Sequence, residues 1–189
     1  MKKYCVNSLT RTGSTLVANI VTELIQQGCA VRSPLEHISL KHFFKKYPGC
    51  NVCKLHDIPQ IDRNRDVNFI VPIRPGLKPT KDEPHDGTIP LKYHNFNNVL
   101  IIYYNDLLYK STRNPDLSIS EEDVVQNIAS SMEKKFNIHI SDENKALAVQ
   151  RVKNMDSRYE EIKDQPFGVW DKYYHIHGHH RDRGDGIRV

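Results

Sequence analysis

One segment near the N-terminus, residues 8–15, combines hydroxyls, a guanidinium and a glycine, which together suit a negatively charged ligand. Gly13 allows a ligand to approach the backbone closely, and Arg11 supplies a fixed positive charge. Hydroxyl groups that can donate to phosphate oxygens stand at Thr12, Ser14 and Thr15. The segment therefore predicts a phosphate-binding loop. A polar turn that only caps a helix is the alternative.

The residues on either side of this segment predict a strand followed by a helix. Residues 4–7 form a short apolar run, which is typical of a buried strand. From Thr15 onward apolar residues recur at helical spacing, and Gly28 is a natural C-terminal stop for that helix. In this order the polar turn lies where backbone N–H groups and the helix dipole converge on an anion.

Further short apolar runs predict the rest of a sheet. They stand at 52–55, 68–71 and 99–103, flanked by turn residues, as expected of strands covered on both faces. A weaker helical pattern covers 35–47. We predict an α/β fold, a three-layer sandwich with a central, mostly parallel sheet, in a single domain over residues 1–189.

Two segments fall outside this alternation of strands and helices. Residues 72–98 contain five prolines and little periodicity, which predicts a long functional loop or lid rather than a packed element. The tail, residues 170–189, is basic and rich in histidine and has no helical pattern.

The C-terminal third before the tail is predicted to be helical. Ser120 and Asp123 resemble a capping box that opens a helix ending near Phe136. Ser141 is predicted to cap a second helix. The apolar stripe predicted for that helix consists of Leu147, Val152, Met155, Tyr159 and Ile162.

The composition is that of an ordinary globular chain. Hydrophobic residues make up 38% and charged residues 26% of the 189 residues, and no apolar run reaches the length of a membrane span. The formal charge of +4 suits an anionic ligand but falls short of the basic stripe of a nucleic-acid binder. With four cysteines and no recognisable signal peptide, we expect free thiols and a cytoplasmic location.

The spacing of residues 8–15 resembles the Walker A loop of kinases and NTPases, with two departures. Ser8 stands in place of the first glycine, and Ser14 stands in place of the lysine. The second departure weighs against ATP chemistry, because that lysine normally contacts the β and γ phosphates. Here the cation, Arg11, precedes the glycine. In this respect the segment resembles the 5′-phosphosulfate loop of the sulfotransferase family.

Later segments follow the order of that family. Residues 54–59 are similar to its Lys-x-His-x-x-Pro segment, 68–75 to a strand ending in arginine, and 100–107 to a strand followed by Tyr-Glu-Asp-Leu. The resemblance covers about residues 4–109. It implies a P-loop sulfotransferase-like fold, with His56 as the catalytic base and Arg74 on the 3′-phosphate of the cofactor.

The resemblance also implies the reaction. The donor would be 3′-phosphoadenosine 5′-phosphosulfate, the acceptor a hydroxyl or amine, and no metal would be needed. His56 would remove the proton of the acceptor, and Arg11 would stabilise the leaving phosphate. The residues expected to contact the cofactor are Thr10, Arg11, Thr12, Gly13, Ser14, Thr15, Arg74, Arg181, Arg183 and Gly184.

The chain also departs from the family pattern. The family places a serine eight positions after its arginine, and here that position is Asp82. Residues 181–186 are only a loose counterpart of its C-terminal Arg-Lys-Gly stretch. Two other functions remain as alternatives: a P-loop nucleotide kinase with an atypical loop, and a catalytically inactive module that binds a nucleotide or RNA.

Other clusters of polar residues are weaker candidates. Cys50 and Cys53 have the spacing of a zinc pair, with His42 and His56 near them in sequence, but structural zinc normally needs a second such pair. Four histidines in the tail could bind a metal adventitiously, lie in solvent or close the nucleotide site, and we favour the last role. They are His175, His177, His179 and His180.

Overall fold

A parallel sheet forms the centre of the protein in the computed structural model, which describes residues 2–10, 12–29, 39–79, 81, 84–111, 114–162, 164–165 and 170–177. Within these ranges the side chains of Asp156, Trp170 and His177 are not described. The sheet has four strands, namely β1 (Lys3–Asn7), β2 (Val52–Leu55), β3 (Val67–Ile73) and β4 (Val99–Tyr103). Their order is β2-β1-β3-β4, and every pair is parallel. The predicted α/β fold with a mostly parallel sheet is confirmed.

Helices and two short strands complete the described structure. The helices are α1 (Ser14–Gln26), α2 (Leu40–Lys46), α3 (Gln60–Arg63), α4 (Glu121–Phe136) and α5 (Asp142–Ile162). The short strands β5 (Trp170–Asp171) and β6 (Ile176–His177) pair with each other as an antiparallel hairpin. None of the described helices has the combination of length and apolar character needed to cross a bilayer.

The sheet is covered on both faces because successive side chains of each strand point to opposite sides. Val6 and Ile70 face the cluster formed by the long helices α1, α4 and α5. Cys5 and Phe69 face the other cluster, to which α2, α3 and the 3-10 turn Leu91–Asn95 contribute. We call these the long-helix face and the short-helix face. Burial on both sides explains why the strands read as continuous apolar runs.

The segment 72–98 is more structured than the predicted loop or lid. Pro72 and Ile73 complete β3, where Pro72 pairs with Ile102 beyond the last residue paired to β1. A proline is tolerated there because only one neighbouring strand remains. Tyr93, in the 3-10 turn, is buried on the short-helix face. With five residues, this turn is too short to show a helical period in the sequence.

The helices of the C-terminal third begin where their caps predict. The hydroxyl of Ser120 accepts from Asp123 N at 3.1 Å, and Ser120 N donates to the Asp123 carboxylate at 2.9 Å, so the capping box is confirmed. Ser141 caps α5 by accepting from Asn144 N at 3.2 Å. The predicted stripe of α5 is wrong at Leu147, which is exposed, because Ala148 takes the buried position beside it.

Arg151 is a buried charged residue within α5 that joins three parts of the chain. Its guanidinium forms an ion pair with buried Glu23 of α1 and donates to Asn19 Oδ1 at 2.8 Å. It also donates to the carbonyl of Tyr173, in the β5–β6 hairpin, at 2.9 Å. Residues 170–177 of the tail are therefore packed against the long helices. Arg181, Arg183, Gly184, His179 and His180 lie outside the described residues.

Candidate anion-binding site

The predicted site residues that the structure describes lie at one edge of the sheet. Residues 8–13 follow β1, His56 follows β2, Arg74 follows β3, and Tyr104 follows β4. Because the strands are parallel, their carboxyl ends meet at the same edge, which is where open α/β sheets usually bind ligands. The fold thus brings together segments that are far apart in sequence.

Gly13 controls how the loop enters α1. Its φ of +82° is left-handed, and a Cβ at this position would lie 2.7 Å from Leu107 Cδ1. Both the conformation and the close approach require glycine. Gly13 is also the N-cap residue of α1, and it has no side chain that could accept a hydrogen bond from the first N–H groups of the helix. The N–H groups of the first turn are therefore left to other partners, as an anion site requires.

The three predicted hydroxyls differ in their surroundings. Thr12 is fully buried, and its hydroxyl donates to Leu9 O at 2.8 Å. In this conformation the hydroxyl proton is therefore used in a hydrogen bond within the loop. Ser14 and Thr15 lie in the first turn of α1 and are largely buried. Their proposed contacts with a ligand stay predictions.

Lys54 is a buried cation for which no role at the loop was predicted. It lies on β2 among apolar residues, and its ammonium donates to the Thr15 hydroxyl at 3.1 Å. A buried lysine is rare unless its charge has a purpose or a partner. The contact places positive charge beside the first turn of α1, although Ser14 replaces the Walker lysine. The sequence signals for Lys54 are its place within an apolar strand and its match to the first residue of the Lys-x-His-x-x-Pro segment.

The backbone of the loop holds the His56 side chain in place. Its Nδ1 lies 3.0 Å from the carbonyl oxygen of Ser8, and the Ser8 hydroxyl oxygen lies 3.3 Å from the same nitrogen. A carbonyl can only accept, so Nδ1 carries the proton and Nε2 is the basic nitrogen. Asn7 fixes the chain just after His56, since its amide donates to Asp57 O at 2.7 Å and accepts from Asp57 N at 3.0 Å.

The surroundings of His56 favour its neutral form. Desolvation by the surrounding protein, together with the positive charge of Lys54, lowers its pKa from 6.5 to about 4, and the Ser8 carbonyl partly opposes this shift. His56 as a whole is nevertheless exposed to solvent, which limits the desolvation of its imidazole. At neutral pH the imidazole is uncharged and able to accept a proton.

The Arg74 side chain stacks on the ring of Tyr104, which lies beside the loop. Its guanidinium lies 4.2 Å from the centre of the Tyr104 ring, and a Cβ on Gly13 would lie 3.4 Å from Cδ2 of the same ring. Burial raises the pKa of Tyr104, which keeps the phenol neutral. One aromatic ring thus lies beside both the loop and the predicted 3′-phosphate residue.

His85 is a second histidine at the loop, and no motif in the sequence points to it. Its Nε2 lies 3.0 Å from the hydroxyl oxygen of Thr10, and its Nδ1 accepts from Gly87 N at 3.2 Å. The segment after β3 is therefore attached to the loop after β1.

Several predicted site residues lie in parts of the chain that the structure does not describe. These are Arg11, Arg181, Arg183 and Gly184, together with Asp82, where the family has a serine. Their predicted roles stay predictions.

The cysteines of the predicted zinc-like pair have other contacts. The Cys50 thiol donates to Val52 O at 2.9 Å, and Cys53 is buried beside its strand partner Cys5, which together with desolvation raises its pKa. Within the described ranges, no three His, Cys, Asp or Glu side chains are grouped so that they could hold a metal ion.

The chain matches no protein-family model, no curated protein and no solved structure. The fold and the site define an α/β protein with a candidate anion loop at the carboxyl edge of a parallel sheet. The resemblance to the sulfotransferase family therefore rests on the sequence motifs alone and stays an interpretation.

Proposed function

We propose that this protein is a sulfotransferase-like enzyme. It binds 3′-phosphoadenosine 5′-phosphosulfate at residues 8–15 and transfers the sulfuryl group to a hydroxyl or amine of an acceptor. The observation that carries the proposal is the contact of His56 Nδ1 with the Ser8 carbonyl, because it makes Nε2 the basic nitrogen of a histidine at the anion loop.

The groups around the loop suit a ligand with two separate anionic ends. The first turn of α1 offers backbone N–H groups, and Lys54 adds an ammonium beside Thr15. Arg74, which follows the neighbouring strand β3, offers a planar guanidinium that can bind phosphate through two hydrogen bonds. We assign the 5′ end of the ligand to the loop and its 3′-phosphate to Arg74.

When bound, the donor supplies an activated sulfuryl group whose transfer breaks the bond to the 5′-phosphate. His56 Nε2 removes the proton of the acceptor hydroxyl, which is otherwise a poor nucleophile. The N–H groups of α1, Lys54 and Arg11 stabilise the negative charge that remains on the 5′-phosphate. Each of these groups acts by its charge or its proton, so the protein itself forms no covalent bond.

The low pKa of His56 makes proton removal depend on donor binding. With a pKa of about 4 the free imidazole is a weak base. Negative charge bound beside it favours the imidazolium and raises the pKa toward the working pH. His56 would then be an effective base only when the donor is bound.

A thermal-shift panel tests the proposed function. The wild-type protein is heated with adenosine 3′,5′-bisphosphate, with ATP and magnesium, and with a short single-stranded RNA. A ligand present at about a hundred times its Kd stabilises the fold by about 2.7 kcal/mol. We expect the bisphosphate to give the largest shift. Stabilisation by ATP and magnesium alone would favour the kinase, and stabilisation by RNA alone would favour the inactive binding module.

A further inference from the structure

His85 connects two segments that the proposed function assigns to opposite ends of the ligand. Because Gly87 N–H donates to Nδ1, that nitrogen has no proton, and the neutral ring carries its proton on Nε2. The ring therefore donates from Nε2 to the Thr10 hydroxyl at 3.0 Å. A partly exposed side chain thus links positions 75 residues apart in sequence.

The same histidine lies on the turn that fixes the backbone of Arg74. Arg74 N donates to Gly87 O at 2.9 Å, and Leu77 N lies 3.2 Å from Asp86 O and 3.3 Å from Arg74 O. A Cβ on Gly87 would lie 2.0 Å from Arg74 O, so the two backbones are in direct contact. A movement of the backbone at residues 85–87 would therefore also move the backbone of Arg74.

We propose that His85 is a positioning residue that sets the distance between the anion loop and Arg74. It touches neither end of the ligand, and it acts by holding Thr10 and residues 85–87, which contact the Arg74 backbone, in one arrangement. A ligand with phosphates at both its 3′ and 5′ positions needs both ends of this arrangement, whereas a ligand with one phosphate needs only the loop. The inference rests on the proposed function and specifies how the site distinguishes the two ligands.

Two amide variants separate the two hydrogen bonds of the ring. In His85→Gln the amide N–H2 stands near the position of Nε2 and can still donate to Thr10. In His85→Asn the amide oxygen stands near the position of Nδ1 and can still accept from Gly87 N, but nothing reaches Thr10. His85→Ala removes both bonds, and Thr10→Val removes the acceptor from the other side.

The measurement is calorimetric titration of each full-length variant with adenosine 3′,5′-bisphosphate and with adenosine 5′-phosphate. Loss of a neutral hydrogen bond corresponds to about a three- to tenfold change in affinity. We expect His85→Ala, His85→Asn and Thr10→Val to weaken bisphosphate binding by about that factor, and His85→Gln to stay within about twofold of wild type. For His85→Ala and His85→Asn, binding of the monophosphate should change less, so the ratio of the two affinities should fall.

The possible failures are distinguishable. If the wild type does not bind the bisphosphate, the proposed function is overturned before any variant is needed. If the wild type binds but the ratio of affinities is unchanged in His85→Asn, His85 does not position the site. Equal losses in His85→Gln and His85→Ala would overturn the inference as well, because the Thr10 contact would then be irrelevant. The new side chains of His85→Gln and His85→Asn both end in an amide. A general loss of folding would therefore affect both variants.

Discussion

The Arg74 guanidinium lies 4.2 Å from the centre of the Tyr104 ring, and a Cβ on Gly13 would lie 3.4 Å from Cδ2 of the same ring. β3 and β4, which precede these two residues, are neighbours in the sheet, so the stack follows from strand order. A cation held over an aromatic face is attracted by the negative charge of the ring surface. The ring therefore holds the arginine beside the loop.

Replacing Tyr104 tests this stack. In Tyr104→Leu the guanidinium loses its aromatic partner, and a cation–π contact is typically worth about 0.5–2 kcal/mol. We expect a fall of about two- to thirtyfold in the preference for adenosine 3′,5′-bisphosphate over adenosine 5′-phosphate, measured by calorimetry. Tyr104→Phe, which keeps the ring, should retain most of the preference. Equal preferences in the Leu variant and the wild type would show that the stack does not orient Arg74.

Substitutions of three glycines separate backbone strain from close approach. Gly13 and Gly76 both have a φ of +82°, but a Cβ meets Leu107 at Gly13 and nothing within 4 Å at Gly76. Gly49 has open space and no left-handed φ. A left-handed residue with a Cβ costs about 1–2 kcal/mol. Gly76→Ala should therefore lower the free energy of unfolding by about that amount.

Gly13→Ala should be more destabilising than Gly76→Ala, and Gly49→Ala should have little effect, as measured by chemical denaturation. The extra loss at Gly13 is the cost of displacing Leu107 and of changing how the loop enters α1. Equal effects at Gly13 and Gly76 would mean that Leu107 moves aside freely.

Lys54→Met tests the buried cation. A hydrogen bond to a charged group contributes about 1.5–3 kcal/mol, so we expect bisphosphate affinity to fall at least about tenfold. Stability should change little or rise, because an apolar side chain replaces a buried charge. Lys45→Met, in α2 and exposed, removes the same charge away from the site. If both variants weaken binding equally, only the net charge of the protein matters.

The lowered pKa of His56 predicts how stability depends on pH. The folded protein resists protonation of His56, whereas the unfolded chain takes up the proton with a pKa near 6.5. The free energy of unfolding should therefore fall as the pH drops from 6.5 toward 4, and His56 contributes no such loss above that range. His56→Asn keeps a donor for the Ser8 carbonyl and removes the titration.

Denaturation at pH 7 and pH 5 measures this difference. The wild type should lose more stability between the two pH values than His56→Asn does, and an equal loss would contradict the lowered pKa. An NMR titration of the imidazole should also show the pKa rising when adenosine 3′,5′-bisphosphate binds.

The elements with strong local signals could be predicted from the sequence. The apolar runs of β1 to β4, the helical spacing of α1 and the Ser120 cap each depend on neighbouring residues. The four-residue helix α3 and the 3-10 turn after Pro90 are too short to show periodicity. Leu147 and Ala148 differ in burial because of the partners of α5, which no local pattern contains.

The contacts of the site were harder to predict because they join distant segments. The segment 8–15 is a candidate because of the types and spacing of its residues, and His56 is a candidate because of the resemblance to the sulfotransferase family. The contacts of Lys54 with Thr15 and of His85 with Thr10 depend on strand order and on how the chain returns after β3. A single lysine or histidine in a sequence does not reveal such a partner.

The most direct test of the site is to compare two nucleotides in the wild type and in Arg74→Met. A charge-assisted contact with the 3′-phosphate corresponds to about a ten- to hundredfold gain in affinity. Calorimetry should show that the wild type prefers adenosine 3′,5′-bisphosphate over adenosine 5′-phosphate by about that factor, and that Arg74→Met binds both about equally. A wild type without this preference, or an Arg74→Met variant that keeps it, would contradict the proposed arrangement of loop and arginine.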